Sequence, residues 1–224
     1  MRERCLPSGV GLDDLQRVEN MVYARRRVKR GESLFISGDP FNAVYAIRSG
    51  FSKTSLIDDH GREYVTGFFM GGELIIGVDS TGAGRYNATA TALEDSDICV
   101  IPFALVEEVS REVPALQRQL HAVLAREIMR DHGVLMLLGS MRAEGRLATF
   151  LIDLSERLVR RGYASSDFHL RMTRHDIGSY LGLELETVSR VFSQLQKDGL
   201  IEVKHRHVRI LDIGALALIA RAVP

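Results

Sequence analysis

The sequence predicts an α+β fold in three consecutive parts, and three patterns along the chain support this prediction. Closely spaced glycines and short β-rich stretches over residues 26–102 predict an N-terminal antiparallel β-roll. Apolar residues at steps of three and four predict one long helix from Val113 to Met141. Two short amphipathic stretches and a strand-turn-strand pattern then predict a C-terminal winged helix-turn-helix. The predicted domains are residues 1–110, 111–141 and 142–224.

Turn residues divide the first part into candidate strands. Ser33–Ile36, Ala43–Ile47, Tyr64–Phe69 and Ala88–Leu93 are rich in β-forming residues, and each is bounded by turn formers. Asp59-His60-Gly61 has the composition of a hairpin turn. Short strands joined by tight turns predict a compact roll or barrel.

The predicted long helix would have about seven to eight turns. Its apolar stripe predicts a homodimer held by this helix, because symmetric dimers are common and long helices often pack on a sister helix. The alternative is a helix buried within its own chain. The apolar residues of the predicted dimer interface are Leu120, Leu124, Ile128, Leu135 and Leu138.

The stretch TRHDIGSYLGLELETVSRVFSQLQK, residues 173–197, predicts two helices joined by a tight turn. Thr173 and Asp176 match a capping box at the start of the first helix. Gly182 suits the left-handed conformation that ends it, and the second helix begins near Leu185. In DNA-binding proteins this unit places its second helix in the major groove.

The second helix has a buried and a polar side. Val188, Phe192 and Leu195 form the predicted buried stripe, which leaves the opposite face to DNA. The polar residues of that face are Glu186, Thr187, Ser189, Arg190 and Ser193. His205-Arg206-His207 forms the tip of the strand-turn-strand, a wing suited to phosphate contacts. The alternative is a helical hairpin with ordinary surface polarity.

The charge distribution, apolar runs, cysteine count and motifs of the sequence limit the classes of function that it can have. Residues 1–141 carry 16 basic and 19 acidic residues, whereas residues 142–224 carry 13 and 10, so a polyanion such as double-stranded DNA is expected at the C-terminal end. The sequence contains no run of about 18 apolar residues, so it predicts no membrane-spanning helix. The N-terminus lacks a signal core, and two cysteines do not make a disulfide framework, which predicts a cytoplasmic protein. Nucleophile, phosphate-loop and HExxH patterns are absent, which predicts no enzyme activity.

Several motifs resemble the CRP/FNR superfamily of bacterial transcription regulators. GESLFISGDPFNAVYAIRSGFSK (residues 31–53) is similar to the start of its cyclic-nucleotide-binding-like β-roll, and residues 173–190 are similar to its DNA-binding module. TGFFMGGEL, DICVIPF and RLATFLIDLSERLVRRGY resemble the FNR branch more than the cyclic-AMP branch. The resemblance implies a homodimeric regulator that responds to oxygen, redox state or a related signal and contacts RNA polymerase. The alternative is a cyclic-nucleotide-responsive regulator of the CRP type.

The resemblance implies a Glu-x-x-Ser-Arg base-reading unit, here Glu186, Ser189 and Arg190. Arginine can bond guanine bidentately, glutamate can accept from cytosine, and serine suits a thymine edge. Leu185 replaces an arginine of the cyclic-AMP branch and favours a thymine methyl. The expected site is therefore an inverted repeat resembling TTGAT-N4-ATCAA, not one built from TGTGA. The remaining expected DNA contacts are Thr187, Thr173, Arg174, Lys204 and Arg206.

The family's dimer seam contains an acidic residue, which corresponds to Asp131. Two carboxylates close together at a seam would repel and would balance monomer against dimer. The alternative is an aspartate that faces solvent in both states.

Departures from the family affect the ligand. Cyclic-nucleotide binders follow Gly-Glu-Leu with Arg-Ser/Thr-Ala, whereas Gly72-Glu73-Leu74 is followed here by Arg85-Tyr86-Asn87-Ala88. Asp131-His132 replaces the Thr-Ser pair that meets adenine. A cyclic nucleotide is therefore not the expected ligand.

FNR-type sensors hold a 4Fe-4S cluster on four cysteines. Cys5 resembles the last of their three N-terminal cysteines and Cys99 the central one, and the chain has no others. Either the natural chain starts upstream of Met1 and supplies two more ligands, or the cluster has been lost. Alternatively, Cys99 is a small buried apolar residue. The 224-residue chain is expected to purify colourless.

Overall fold

A computed structural model of the chain describes residues 21–77 and 84–221. The chain divides into two compact units between residues 128 and 129, a boundary that falls inside one long helix. The predicted α+β fold, with a β-roll, a long helix and a winged helix-turn-helix, is confirmed.

Antiparallel strands build the N-terminal unit. The described strands are β1 (Ala24–Val28), β2 (Ser33–Phe35), β3 (Ala43–Ser49), β4 (Phe51–Ile57), β5 (Glu63–Met70), β6 (Leu74–Ile75), β7 (Thr89–Ala92) and β8 (Ser96–Pro102). They form two four-stranded sheets, in the orders β1-β8-β3-β6 and β2-β7-β4-β5. The predicted hairpin turn at residues 59–61 joins β4 to β5, whose pairing runs from Phe51↔Met70 to Ile57↔Glu63.

Strand β1 was not among the predicted strands. Its sequence, ARRRV, has three consecutive arginines, which suggests a solvated charge run rather than a strand. All three are exposed, because β1 lies at a sheet edge and pairs only with β8.

Aromatic side chains fill the space between the two sheets. Tyr86 stacks on Phe35 with ring centroids 4.1 Å apart, and Phe41 meets Tyr86 edge-on at 5.2 Å. The Tyr86 hydroxyl donates to the Ala43 carbonyl at 2.8 Å and accepts from the Ala43 N–H at 3.3 Å. Burial raises the pKa of Tyr86, so the buried hydroxyl stays neutral and satisfied.

The described helices are α1 (Phe103–Glu112), α2 (Pro114–Ser140), α3 (Ala143–Val159), α4 (Arg174–Leu181), α5 (Leu185–Lys197) and α6 (Ile213–Arg221). The predicted long helix is α2. Strands β9 (Asp167–His169), β10 (Ile201–Lys204) and β11 (His207–Ile210) form a small antiparallel sheet in the order β10-β11-β9. Within the two described ranges, no helix combines the length and apolar character that crossing a bilayer requires.

Candidate nucleic-acid interface

The start of α4 is fixed by a reciprocal capping box. The Thr173 hydroxyl accepts from the Asp176 N–H at 3.0 Å, and the Asp176 carboxylate accepts from the Thr173 N–H at 2.8 Å. The same carboxylate also accepts from the Thr173 hydroxyl at 2.6 Å. The predicted cap is confirmed, and the Thr173 hydroxyl is engaged in it.

The turn between α4 and α5 depends on two glycines. Gly182 has a φ of +62°, the left-handed conformation predicted for the end of α4. A Cβ on Gly178 would lie only 2.5 Å from the Leu183 carbonyl oxygen, so any side chain there would push the turn away. Sequence reasoning missed Gly178, because a glycine inside a helical pattern carries no signal of what approaches it.

Helix α5 has an apolar side that packs in the domain and a polar side in solvent. Val188, Val191, Phe192 and Leu195 are buried, of which the prediction lacked only Val191. The expected base-contacting residues lie on the other side: Leu185, Glu186, Ser189 and Arg190 are exposed and Thr187 is partly exposed. The structure thus brings the predicted reading residues onto one face of one helix.

The polar face of α5 is open for hydrogen bonding. Among the described residues, neither Glu186 nor Arg190 has a side-chain hydrogen bond or ion pair. Ser193 donates to the Ser189 carbonyl at 3.0 Å, which occupies its hydroxyl proton. Glu186 lies in the first turn, where a carboxylate is favoured by the helix dipole. An unpaired guanidinium and carboxylate can bond to base edges without first breaking an internal contact.

Arg174 is held differently from the α5 residues. Its guanidinium carbon lies 3.1 Å from the centroid of the Phe192 ring, so the side chain joins α4 to α5. Burial lowers its pKa to about 10, which still leaves it charged at neutral pH. Its Nη1 is buried and has no hydrogen-bond partner among the described residues. Contact of Arg174 with DNA stays a prediction.

The predicted wing is the β10–β11 hairpin. The pairing ends at Lys204↔His207, so His205 and Arg206 form the loop and His207 belongs to the strand. His205 has a φ of +58°, a conformation that histidine tolerates better than most residues. Lys204 bonds Glu202 at 2.8 Å, but this pair is exposed and contributes little, so Lys204 can exchange it for a phosphate. Arg206 is exposed at the tip.

An exposed apolar stripe runs along α2. Leu124, Ile128 and Leu135 are 45%, 54% and 66% exposed, and Leu138 is 39% exposed. Their spacing, with exposed Asp131 in the middle, is the four-three alternation of a coiled-coil seam. Leu120, also predicted for the seam, packs against the core of its own roll.

The structure describes one of the two cysteines, Cys99. Cys99 lies on β8, fully buried among Val44, Ala46 and Ile101. It is disulfide-bonded, which the sequence analysis did not predict, since pairing depends on tertiary proximity. Cys5 lies outside the described residues. Within the described ranges, no group of three or more His, Cys, Asp or Glu side chains could hold a metal ion.

Comparison with known proteins gives the family. A Crp-like helix-turn-helix domain matches residues 145–219, and a cyclic nucleotide-binding domain matches residues 25–112. The transcriptional regulatory protein btr of Bordetella pertussis is 44% identical over 212 residues, which are 95% of this chain and 87% of that protein. The chain belongs to the CRP/FNR family of transcription regulators.

Other relatives place the chain near the FNR branch of this family. The transcriptional activator protein anr of Pseudomonas aeruginosa is 43% identical over 216 residues, covering 96% of this chain and 88% of that protein. The fumarate and nitrate reduction regulatory protein of Salmonella typhimurium is 38% identical over 216 residues, covering 96% and 86%. The structure of FixK2 from Bradyrhizobium japonicum matches with a TM-score of 0.81 and 27% identity over 90% of this chain and 98% of that one. These relatives confirm the predicted function, a sequence-specific DNA-binding transcription regulator of the FNR type.

Proposed function

We propose that this CRP/FNR-family regulator binds an inverted repeat resembling TTGAT-N4-ATCAA as a homodimer. The main support for this proposal is the exposed face of α5, where the side chains of Glu186 and Arg190 have no hydrogen bond or ion pair among the described residues. Arg190 can bond the guanine of TTGAT, and Glu186 can accept from the cytosine paired with a guanine. Leu185 is 43% exposed at the helix start, where it suits a thymine methyl.

The exposed apolar stripe on α2 supports the proposed homodimer. Six large apolar side chains on this helix are exposed: Leu124, Ile128, Met129, Leu135, Met136 and Leu138. A second copy of α2 would cover them, and a twofold axis would present two α5 helices to an inverted repeat. Sedimentation should show a concentration-dependent dimer, and a monomer at every concentration would contradict the proposal.

Fluorescence anisotropy with a labelled duplex tests the DNA site. The protein should bind the TTGAT-N4-ATCAA duplex more tightly than a scrambled duplex of equal composition, by about 10³-fold or more at physiological salt. Arg142→Gln provides the matched control, since Arg142 is an exposed arginine of the same domain away from α5. Equal affinity for both duplexes would contradict sequence-specific recognition of this repeat.

A cyclic nucleotide is not the proposed ligand of the roll. Tyr86 and Phe35 occupy the space between the sheets, and Tyr86 is only 3% exposed. The Arg85 guanidinium is exposed and donates to the Gly38 carbonyl, so it does not point into that space. Calorimetric titration with cyclic AMP should give no binding heat; saturable binding would support the alternative CRP-type function.

The described residues do not fit a 4Fe-4S cluster. Such a cluster needs four thiolate ligands, whereas Cys99 is buried and disulfide-bonded and the chain has two cysteines in all. We therefore expect colourless protein with near-zero iron and sulfide after anaerobic reconstitution. About four irons per subunit would contradict this. Cys99→Ser should keep DNA binding, because Cys99 lies in the roll and not in the DNA-binding domain.

The remaining expectations follow from the same proposal. A regulator of this family would act in the cytoplasm, contact RNA polymerase at its promoters, and need no catalytic activity of its own. Its signal would be oxygen, redox state or a related cue, as proposed for the FNR branch from the sequence. Transcription in vitro with purified polymerase tests this: the repeat upstream of a promoter should change transcript yield only when the protein is present.

A further inference from the structure

Arg146, in the first turn of α3, bonds to the ends of two other helices. Its Nη2 donates to the Leu138 carbonyl at 2.9 Å and its Nε to the Met141 carbonyl at 3.0 Å, both at the end of α2. Its Nη1 donates to the Leu181 and Gly182 carbonyls, at 3.0 and 3.4 Å, at the end of α4. All three guanidinium nitrogens are therefore in use.

The chemistry of helix ends explains why an arginine stands here. The last carbonyls of a helix have no partner within the helix, and together they carry a partial negative charge. Two such ends would repel if nothing positive lay between them. A planar guanidinium with five N–H donors can satisfy both at once, which a lysine ammonium cannot do in the same geometry.

The two helix ends also touch directly. A Cβ on Gly182 would lie 2.9 Å from Cδ2 of Leu138, so a side chain there would require Leu138 to shift. Helix α4 also packs on α3, the helix that carries Arg146, because the Tyr180 ring of α4 meets Phe150 of α3 edge-on at 6.0 Å. Leu138 thus belongs to the apolar stripe of α2 and also lies against the turn that leads into α5.

We propose that Arg146 is a positioning residue, which fixes the helix-turn-helix on the end of α2 and thereby sets the half-site spacing that the dimer accepts. This inference rests on the proposed homodimer and its inverted repeat. In the dimer, the paired α2 helices set the distance between subunits. The angle of each α5 then depends on the link from α2 through Arg146 to α4. Without the link each α5 can still bind one half-site, but the pair no longer requires one spacing.

Variants of Arg146 test this by their spacing preference. Arg146→Met removes all four hydrogen bonds, and Arg142→Met is the matched control, because the exposed Arg142 side chain has no hydrogen bond among the described residues. Anisotropy would compare the N4 repeat with repeats one base pair shorter and longer, and with a single half-site. Arg146→Met should lower affinity for the N4 repeat by about tenfold while leaving single half-site affinity unchanged. Arg142→Met should match wild type.

The ratio of the affinity for the N4 repeat to the affinity for the shorter and longer repeats distinguishes a positioning role of Arg146 from a role in stability alone. A purely structural role would lower the melting temperature and leave the ratio between the N4 repeat and its neighbours as in wild type; that result would overturn the inference. If Arg146→Met does not fold, Arg146→Lys, which keeps the charge but not the planar fork, must still flatten the ratio. Wild type that fails to distinguish the repeat from scrambled DNA would overturn the proposed function itself, and the inference with it.

Discussion

Two exposed arginines, one in each unit, differ in what surrounds them. By sequence resemblance Arg85 matches the arginine of the family's phosphate-binding motif, but it donates to the Gly38 carbonyl and the neighbouring Tyr86 is buried in the roll. Arg190 is the residue predicted to read a DNA base, and it is exposed with no partner among the described residues. In the function proposed above, the interior of the roll is used for packing around Tyr86, whereas the polar side chains of α5 stay available for DNA. A shared fold therefore does not fix the ligand of each domain.

The largest expected effect is a loss of folding stability on substitution of Tyr86 in the roll. Tyr86→Ala should lower the free energy of unfolding by about 3–5 kcal/mol, because it removes a buried ring that stacks on Phe35. DNA selectivity of the folded fraction should stay as in wild type, since α5 is untouched. Chemical denaturation and anisotropy on the same samples measure both. Tyr86→Phe, which keeps the ring, should cost less; a folded Tyr86→Phe that loses selectivity would break the comparison.

Arg190→Ala is expected to reduce DNA selectivity and to leave folding stability nearly unchanged. This change should cost about 1–3 kcal/mol of discrimination at the guanine of TTGAT, because one bidentate contact is lost. Stability should change by no more than about 0.5 kcal/mol, since the side chain is exposed and unpaired. Anisotropy with the repeat and with a guanine-substituted repeat gives the difference. If the variant still prefers the original guanine as strongly as wild type, Arg190 does not read it.

A smaller effect is expected at the α2 seam. Asp131→Ala should strengthen dimerisation by about 0.2–1 kcal/mol, the range of exposed charge interactions, because two like charges are removed. Ile128→Ala should have the opposite sign, since Ile128 is 54% exposed on the same stripe and would be buried in the dimer. Sedimentation equilibrium reports both. An unchanged dimer constant for Asp131→Ala would support the alternative of a solvent-facing aspartate.

The smallest effect is expected on the wing. Lys204→Ala should weaken binding to specific and scrambled DNA alike and reduce the slope of log affinity against log salt by about 0.9, the value for one phosphate. Glu202→Gln makes the informative control, because it frees Lys204 from its 2.8 Å ion pair and should not weaken binding. A Lys204→Ala variant that loses affinity for only one of the two duplexes would mean that the wing reads sequence.

Local signals made much of the interface predictable. The Thr173–Asp176 box and the left-handed Gly182 depend on residues a few positions apart, and both were found from the sequence. Gly178 and Arg146 escaped prediction, because their roles depend on a carbonyl or helix end brought near by the tertiary fold. The pairing of Cys99 was missed for the same reason.

Selection of bound sequences from a random duplex library, without added nucleotide or iron, tests the central claim most directly. We expect enrichment of an inverted TTGAT repeat separated by four base pairs, because Glu186, Ser189 and Arg190 lie together on the exposed face of α5 with Leu185 at its start. Under Arg190→Ala the enrichment should weaken at the guanine alone. Enrichment of TGTGA half-sites, or of no repeat at all, would contradict it.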